Sequence, residues 1–397
     1  MRGDLRHLRY PGLVGHVTLE EAGEVQEALA AVMTGWVPEV VPGGSEAFLS
    51  RVRRGRDGFD LHSPWLEEPL EGLSRAAAAC GVVADLAQAF CDRHRGCLGL
   101  HCGAVRIAGR LVALTGPARA GKSTLMARLT AEPDMSVFCD DILPVLEDGL
   151  AFGLGFAPRL RLPLPDTVSA GFRAHVAAHL GPSDGRYGYL CGPNIAPHGT
   201  RAPLAALVVL ARGADVPARL HRMEASEAVH HLMRQNIAEP GEGVAHFDRV
   251  TRMAGTLLCL KLVYSDLEEA VALLRHAFGG AMMPAPDLEL GPPLPAGIAA
   301  VVHSPAGLER VFRRSPQVAL RAVGQEMFLW HAGEQSYFHL NPVARAVWTL
   351  LEERVTGAGI AGVLCEAFPD VAAARVRTDV ALLLGAFEAE GLILPAG

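Results

Sequence analysis

The clearest pattern along the chain is an apolar run, Leu111–Thr115, followed after a short polar stretch by Ser123–Leu129, where apolar residues return at helical spacing. A buried strand feeding an amphipathic helix fits this pattern. Upstream, Gly99–Ile107 reads as one strand, with Gly109-Arg110 as the turn that makes Leu111–Thr115 its antiparallel partner. Downstream, Met135–Cys139 is a second apolar run ending in Asp140-Asp141. Nearer the N-terminus the pattern predicts helices over Val17–Met33, Pro69–Ala79 and Val82–His94, and strands over Trp36–Val41 and Phe59–Ser63. Residues 166–200 are rich in Gly, Pro and His and read as irregular; Gly185–Tyr189 within them reads as either a lid or an ordinary loop. Beyond them come a strand at Leu204–Leu210, a helix at Glu227–Asn236, a strand at Thr256–Val263 and a helix at Asp266–Phe278.

Residues 284–298 hold five prolines and no periodicity, which marks a domain boundary. The expected division is residues 1–283, with 1–60 the hardest part to read, a linker over 284–300, and a separate unit over 301–397. In that last unit Val318–Val323, Met327–Trp330 and Tyr337–Leu340 read as strands. Asn341 then precedes Pro342, a strong helix start. Two more helices follow, Ile360–Phe368 and Ala372–Glu390, and Leu392–Leu394 closes the chain. The fold class expected is α/β, followed by a C-terminal α+β winged-helix-like unit of three helices and three strands.

The polar stretch between the first strand and helix carries chemistry. Gly116, Pro117, Ala118, Arg119, Ala120, Gly121, Lys122, Ser123 and Thr124 form a complete G-x-x-x-x-G-K-[ST] phosphate loop in its required strand-to-helix context. The glycines let backbone N–H groups converge on an anion, and the helix N-terminus favours negative charge. Lys122 reaches the outer phosphates and Ser123 offers a hydroxyl to Mg²⁺, so ATP or GTP with Mg²⁺ is the expected cofactor set. The chain has 36 Lys and Arg residues but only two lysines, Lys122 and Lys261. One is kept where a compact ammonium suits phosphate better than a planar fork. Asp140 and Asp141 lie at a strand end, where phosphoryl transfer places its metal and its base. Alternation along a strand would send them to opposite sides, one toward metal and one toward the acceptor, without deciding which; if Asp141 is the base, Ser123 and Asp140 are the expected metal ligands.

Composition narrows the class. Half the residues are hydrophobic and the formal net charge is −7, which argues against nucleic acid or an anionic membrane as main partner. No apolar run approaches the length of a spanning helix, and the start of the chain carries no secretion signal, so a soluble cytoplasmic protein is expected. The eight cysteines, none in a C-x-x-C pair, are then expected to be reduced.

A hairpin delivering the phosphate loop, with His101 near its start, resembles the HPr kinase/phosphorylase family. The residues that carry the resemblance are Leu100–Val105, Gly116–Thr124 and Phe138–Asp141. It spans roughly residues 35–280 and implies a P-loop kinase domain with a mixed sheet. It also implies transfer of phosphate from a nucleoside triphosphate to a serine hydroxyl, with Asp141 as base, His101 as the family's histidine, Lys122 and Ser123 on phosphate and Mg²⁺, and an oligomer. Pro158–Pro163 looks more like the divergent relatives found in peptide-modifying gene clusters, such as lasso-peptide kinases. Arg159, Arg161 and Arg186 are candidates to stabilise transferred charge.

In the C-terminal unit Phe338–Leu351, Arg377–Val380 and Glu390–Ile393 resemble the PqqD-like family. That resemblance implies capture of a precursor peptide's leader as an added strand beside the hairpin, against the third helix. DNA binding is the competing use of a winged helix. From residue 301 onward there are 8 Arg, no Lys and 10 acidic residues, which disfavours it. The combined expectation is an ATP/Mg²⁺-dependent kinase of a Ser or Thr in a ribosomally made precursor peptide. A nucleotide-responsive peptide-binding adaptor and a kinase of a small-molecule hydroxyl remain as alternatives.

Overall fold

The computed structural model describes residues 4–43, 48–117, 119–239, 242–294 and 304–396. Its first elements are β1 (Leu5–Arg9), β2 (His16–Glu20), α1 (Gly23–Val32), β3 (Glu39–Val41), β4 (Phe48–Arg54), β5 (Phe59–His62), β6 (Leu70–Leu73) and α2 (Arg75–Arg93). The middle comprises β7 (Leu98–His101), β8 (Gly103–Ile107), β9 (Arg110–Thr115), α3 (Lys122–Leu129), β10 (Met135–Cys139), β11 (Ile142–Val145), β12 (Leu150–Phe152) and β13 (Arg159–Arg161). There follow α4 (Ala170–His179), β14 (Leu180–Ser183), β15 (Tyr187–Leu190), β16 (Arg201–Arg212), β17 (Arg219–Arg222), α5 (Ala225–Gln235), α6 (Gly243–Thr256), β18 (Leu258–Tyr264) and α7 (Leu267–Gly279). The C-terminal elements are β19 (Val311–Arg314), β20 (Val318–Val323), β21 (Glu326–His331), β22 (Ser336–Leu340), α8 (Pro342–Leu350), β23 (Val355–Thr356), α9 (Gly357–Ala367), α10 (Ala373–Ala389) and β24 (Ile393–Pro395).

The chain divides into two units. The first holds residues 1–224, 231–241 and 257–294; the second holds 225–230, 242–256 and 295–397. The expected division along the sequence did not include the two short segments that join the C-terminal residues. Of the expected linker, residues 284–294 belong to the first unit, where Gly291 exchanges backbone hydrogen bonds with Leu220 and Arg222 at 2.9 Å each, and residues 295–300 lie outside the described residues.

In the first unit, a six-stranded sheet, β3-β1-β2-β4-β5-β6, packs with α1 and α2 around Leu8, Val17, Leu29, Val52, Leu61 and Leu86. The helix predicted over Val17–Met33 is here a strand and a shorter helix. The residues predicted as two helices over 69–94 are β6 and the single helix α2, started by Ser74, whose hydroxyl accepts from the Ala77 N–H. A nine-stranded sheet follows the path β10-β8-β9-β16-β12-β11-β7, with β18 beside β16 and β17 beside β18. β9, β16 and β18 run parallel, while β8 and β10 are antiparallel, so the sheet is mixed. The β8–β9 hairpin turns through Ala108 and Gly109, both at positive φ. α3 and α7 pack on this sheet, with Leu125, Met126, Leu129, Leu274 and Phe278 set against Val105, Val112, Val208 and Leu260. Gly103 permits that approach, because a Cβ there would lie 2.4 Å from the Met126 side chain.

The single strand expected over Gly99–Ile107 is broken at Cys102. β7 pairs with β11 and β8 with β9 and β10, so His101 belongs to a different ladder from the hairpin. The stretch read as irregular over 166–200 contains α4, β14 and β15. Gly185–Tyr189 runs into β15 of a three-stranded sheet, β13-β15-β14, rather than forming a lid.

In the second unit β20, β21 and β22 form an antiparallel sheet with β22 at one edge, and β23, β19 and β24 form another. α8, α9 and α10 enclose a core of Phe312, Leu329, Leu340, Val347, Trp348, Ile360, Leu384 and Phe387. The three helices and three strands expected here are present, and Asn341 caps α8 through a 2.8 Å bond from the Ala344 N–H. α6 was not expected. Its Phe247 stacks at 5.3 Å on Trp330 and 5.8 Å on Tyr337, and its Asp248 takes a fork from Arg321. Ser226 bonds Glu326, and His230 meets the Tyr337 hydroxyl at 3.0 Å.

Candidate functional site

The candidate phosphate loop leaves β9 at Gly116, which has φ +157°, and enters α3 at Gly121, which has φ +89°. Both positions need glycine for space as well. A Cβ on Gly116 would lie 2.8 Å from the Leu210 carbonyl oxygen, and one on Gly121 would lie 2.5 Å from the Tyr264 hydroxyl. Arg119 also sits at positive φ, +70°. Pro117 and Ala120 lie in the same turn and Thr124 in the first turn of α3, while Ala118 lies outside the described residues. Tyr264, at the end of β18, donates its hydroxyl to the Ala120 carbonyl at 2.7 Å. Sequence reasoning missed this brace, since an aromatic at a strand end 144 residues away from Ala120 carries no local signal.

Register brings the acidic pair to the loop. β10 ends at Cys139 and β11 begins at Ile142, which pairs with His101 of β7. Asp140 and Asp141 therefore occupy the crossing between two ladders of the sheet. Lys122, at the first turn of α3, donates to the Asp140 carbonyl at 3.0 Å and lies 3.6 Å from Asp141 Oδ1. His101 Nε2 lies 2.9 Å from the same Asp141 oxygen. The structure thus brings together His101, Lys122, Ser123, Asp140 and Asp141.

The two carboxylates differ sharply. The Asp140 side chain is 8 % exposed; its Oδ2 accepts from the Arg159 N–H at 3.1 Å, and its Oδ1 is buried without a hydrogen-bond partner. Burial pushes its pKa up to about 6, against the opposing pull of Lys122, the Arg159 N–H and Ser123. Asp141 is 74 % exposed, and His101 first, then Lys122, hold it below the usual carboxylate value. An orphaned carboxylate oxygen beside a serine hydroxyl fits Mg²⁺, which takes one or two carboxylates and completes its shell with phosphate and water. Among the described residues no group of three His, Cys, Asp or Glu side chains could hold a metal unaided.

A cleft of about 180 Å³ opens here, lined among others by Ser123, Asp140, Asp141, Arg159, Tyr187 and Tyr189. Cys80, also in its wall, accepts from Arg159 Nη1 at 2.6 Å. The three candidate arginines gather on one ring. The guanidinium carbons of Arg159, Arg186 and Arg161 lie 4.0, 5.3 and 5.8 Å from the Tyr187 centroid. β13 and β15 make this cluster, since Arg161 pairs with Tyr187 and Arg159 with Tyr189. Gly188 lies between the tyrosines because a Cβ there would meet Leu180 at 2.6 Å and Leu162 at 3.1 Å.

No helix among the described residues is long and apolar enough to cross a membrane. A search of curated proteins finds no match to the chain. Similar solved structures cover about a fifth of it. TbiB1 in complex with the TbiA(beta) leader peptide is 26% identical over 21% of this chain and 98% of its own, with a TM-score of 0.20. Lasso peptide synthetase B1 complexed with the leader peptide is 24% identical over 21% and 98%, with a TM-score of 0.20. The PqqD truncation of Methylobacterium extorquens PqqCD, described as a stand-alone RiPP recognition element, is 24% identical over 22% and 94%, again with a TM-score of 0.20. Residues 326–393 match the family model of coenzyme PQQ synthesis protein D (PqqD), and this C-terminal part of the chain is a PqqD-like domain.

Proposed function

We propose that the protein is an ATP- and Mg²⁺-dependent kinase of HPr-kinase-like fold that phosphorylates a serine or threonine hydroxyl of a ribosomally synthesised precursor peptide. The observation that carries this reading is the meeting of a phosphate loop with two unlike carboxylates in one cleft, in a chain that also bears a PqqD-like domain. In the transfer, the acceptor oxygen bonds to the γ-phosphorus as the bond to the β-phosphate oxygen breaks, and the nucleoside diphosphate leaves. Asp141, exposed and ionised, takes the hydroxyl proton, with His101 fixing its orientation at 2.9 Å. Lys122 balances phosphate charge. Ser123 and Asp140 are the residues that would hold Mg²⁺, whose charge neutralises the phosphate oxygens. Transfer of this kind depends mostly on position and electrostatics, and a rigid strand crossing supplies both. The leader adds as a strand along the β22 edge, raising the local concentration of the acceptor.

The test is incubation with ATP, Mg²⁺ and a precursor peptide encoded beside the gene, read by mass. Gain of phosphate on a Ser or Thr is expected. Lys122→Ala and Asp141→Asn are expected to lower transfer by at least about a hundredfold while leader affinity stays within about twofold. Leader binding without any transfer, with ATP left intact, overturns the kinase reading in favour of an adaptor.

A further inference from the structure

The arginines around Tyr187 are more numerous than the nucleotide requires. Lys122 and the backbone of the phosphate loop already face its phosphates. Only Arg159 of the three lines the cleft; Arg161 and Arg186 are exposed beyond it. β13 starts at Arg159, whose N–H is bonded to Asp140, and runs away from it. Two residues of extended chain carry Arg161 roughly 7 Å further out. Among the described residues no carboxylate forms an ion pair with any of the three guanidinium groups. Asp184, the acid nearest Arg186 in sequence, accepts from the N–H groups of Arg186 and Tyr187 at 2.8 Å each and from the Ser74 hydroxyl at 2.9 Å, and lies within electrostatic reach of Arg159 without forming an ion pair. Arg161, beside the Tyr187 hydroxyl, also holds that phenol below its usual pKa.

Guanidinium groups already held against one ring, Arg161 by a hydrogen bond to its hydroxyl, lose less entropy when a carboxylate arrives. A bound anion relieves their mutual repulsion. We propose that Arg161 and Arg186, set against Tyr187, form a subsite for an acidic side chain of the acceptor, about two residues from the hydroxyl that is phosphorylated. This rests on the kinase reading for its location, and it names the acceptor class as an acidic peptide segment. The other source of the same chemistry is a phosphate of the nucleotide, and the two separate experimentally.

The full-length protein, with Mg²⁺ and a non-hydrolysable ATP analogue, is titrated into fluorescent leader-free peptides. Each has one serine flanked two residues away by Asp, Ala or Lys, and anisotropy reports binding. The Asp peptide is expected to bind about tenfold tighter than the Ala peptide, with a preference that fades as salt rises. In Arg161→Ala/Arg186→Ala the preference shrinks to about twofold or less, with the analogue's affinity and the melting temperature unchanged. Arg161→Glu/Arg186→Glu transfers the preference to the Lys peptide. Equal affinities for the Asp and Ala peptides, no binding of either, or a double variant that keeps the preference each overturn the subsite. A variant that loses affinity for the nucleotide analogue instead assigns the arginines to phosphate. With ATP in place of the analogue, a protein that shows the preference but transfers no phosphate to its precursor peptide refutes the kinase reading and leaves the subsite standing.

Discussion

Tyr264 and Gly121 show how single atoms shape the loop. The hydroxyl that braces Ala120 occupies the space where a Cβ on Gly121 would fall, 2.5 Å away. Gly121→Ala meets both that clash and a strained φ, so a loss of about 2 kcal/mol or more in urea unfolding is expected, together with loss of nucleotide binding. Tyr264→Phe removes only the bond. It is expected to cost about 1 kcal/mol of stability and to weaken ATP binding severalfold; an unchanged Kd in calorimetry refutes the bracing role. At Asp140 the pKa of about 6 in the fold exceeds the ordinary 3.8, so the folded, metal-free protein binds the extra proton between those values. Its contribution to stability is therefore greatest below the lower value and is lost as pH rises through the upper one. Asp140→Asn is expected to flatten the fall in unfolding free energy between about pH 4 and about pH 7, and parallel curves for the two proteins speak against a carboxyl group whose pKa is raised by burial. Among candidate site residues, the glycine-rich loop and the acidic pair could be picked out from the sequence because each lies in adjacent positions. The convergence of Arg159, Arg161 and Arg186 on Tyr187 was not, since it depends on which strands pair.

At the scale of elements, local signals succeeded where they were self-sufficient. The β8–β9 hairpin, α3, β10 and α8 follow from turn residues, caps and short-range periodicity. Asn341→Ala removes the cap of α8 and is expected to lower stability by about 1 kcal/mol, as a shift in the thermal melt. Failures came where a partner decides. Gly99–Ile107 reads as one strand because its residues are uniformly β-compatible, yet two ladders claim its halves. Leu70–Leu73 sits in a stretch with helical spacing but pairs with β5. α6 was missed because Gly243 and Thr256 bound it with weak helix formers; its apolar face, Phe247 and Val250, is stabilised by packing rather than by propensity.

For the whole molecule, the second unit is assembled from three stretches of chain, and this was the feature least legible in the sequence. A linker rich in proline marks where one domain's chain ends, but composition says nothing about a helix contributed from far upstream. The PqqD-like match runs from residue 326 to 393, so the family pattern covers β21, β22 and the helices α8, α9 and α10, and omits both β20 and the helix on Phe328, Trp330 and Tyr337. Phe247→Ala in the full chain is expected to destabilise this unit by about 3 kcal/mol. A fragment of residues 304–396 is expected to bind a hydrophobic dye and melt early, and to recover when a peptide of residues 243–256 is added. A fragment as stable as the unit within the full chain contradicts the contribution of α6.

The same discontinuity bears on synthesis. Phe247 leaves the ribosome about eighty residues of synthesis before Phe328, the first of its aromatic partners, emerges. At typical elongation rates that is a wait of roughly 4–16 seconds, during which α6 presents a bare apolar face. A nascent chain stalled after residue 294 should therefore be a preferred client of chaperones, and release from them should coincide with emergence of β21.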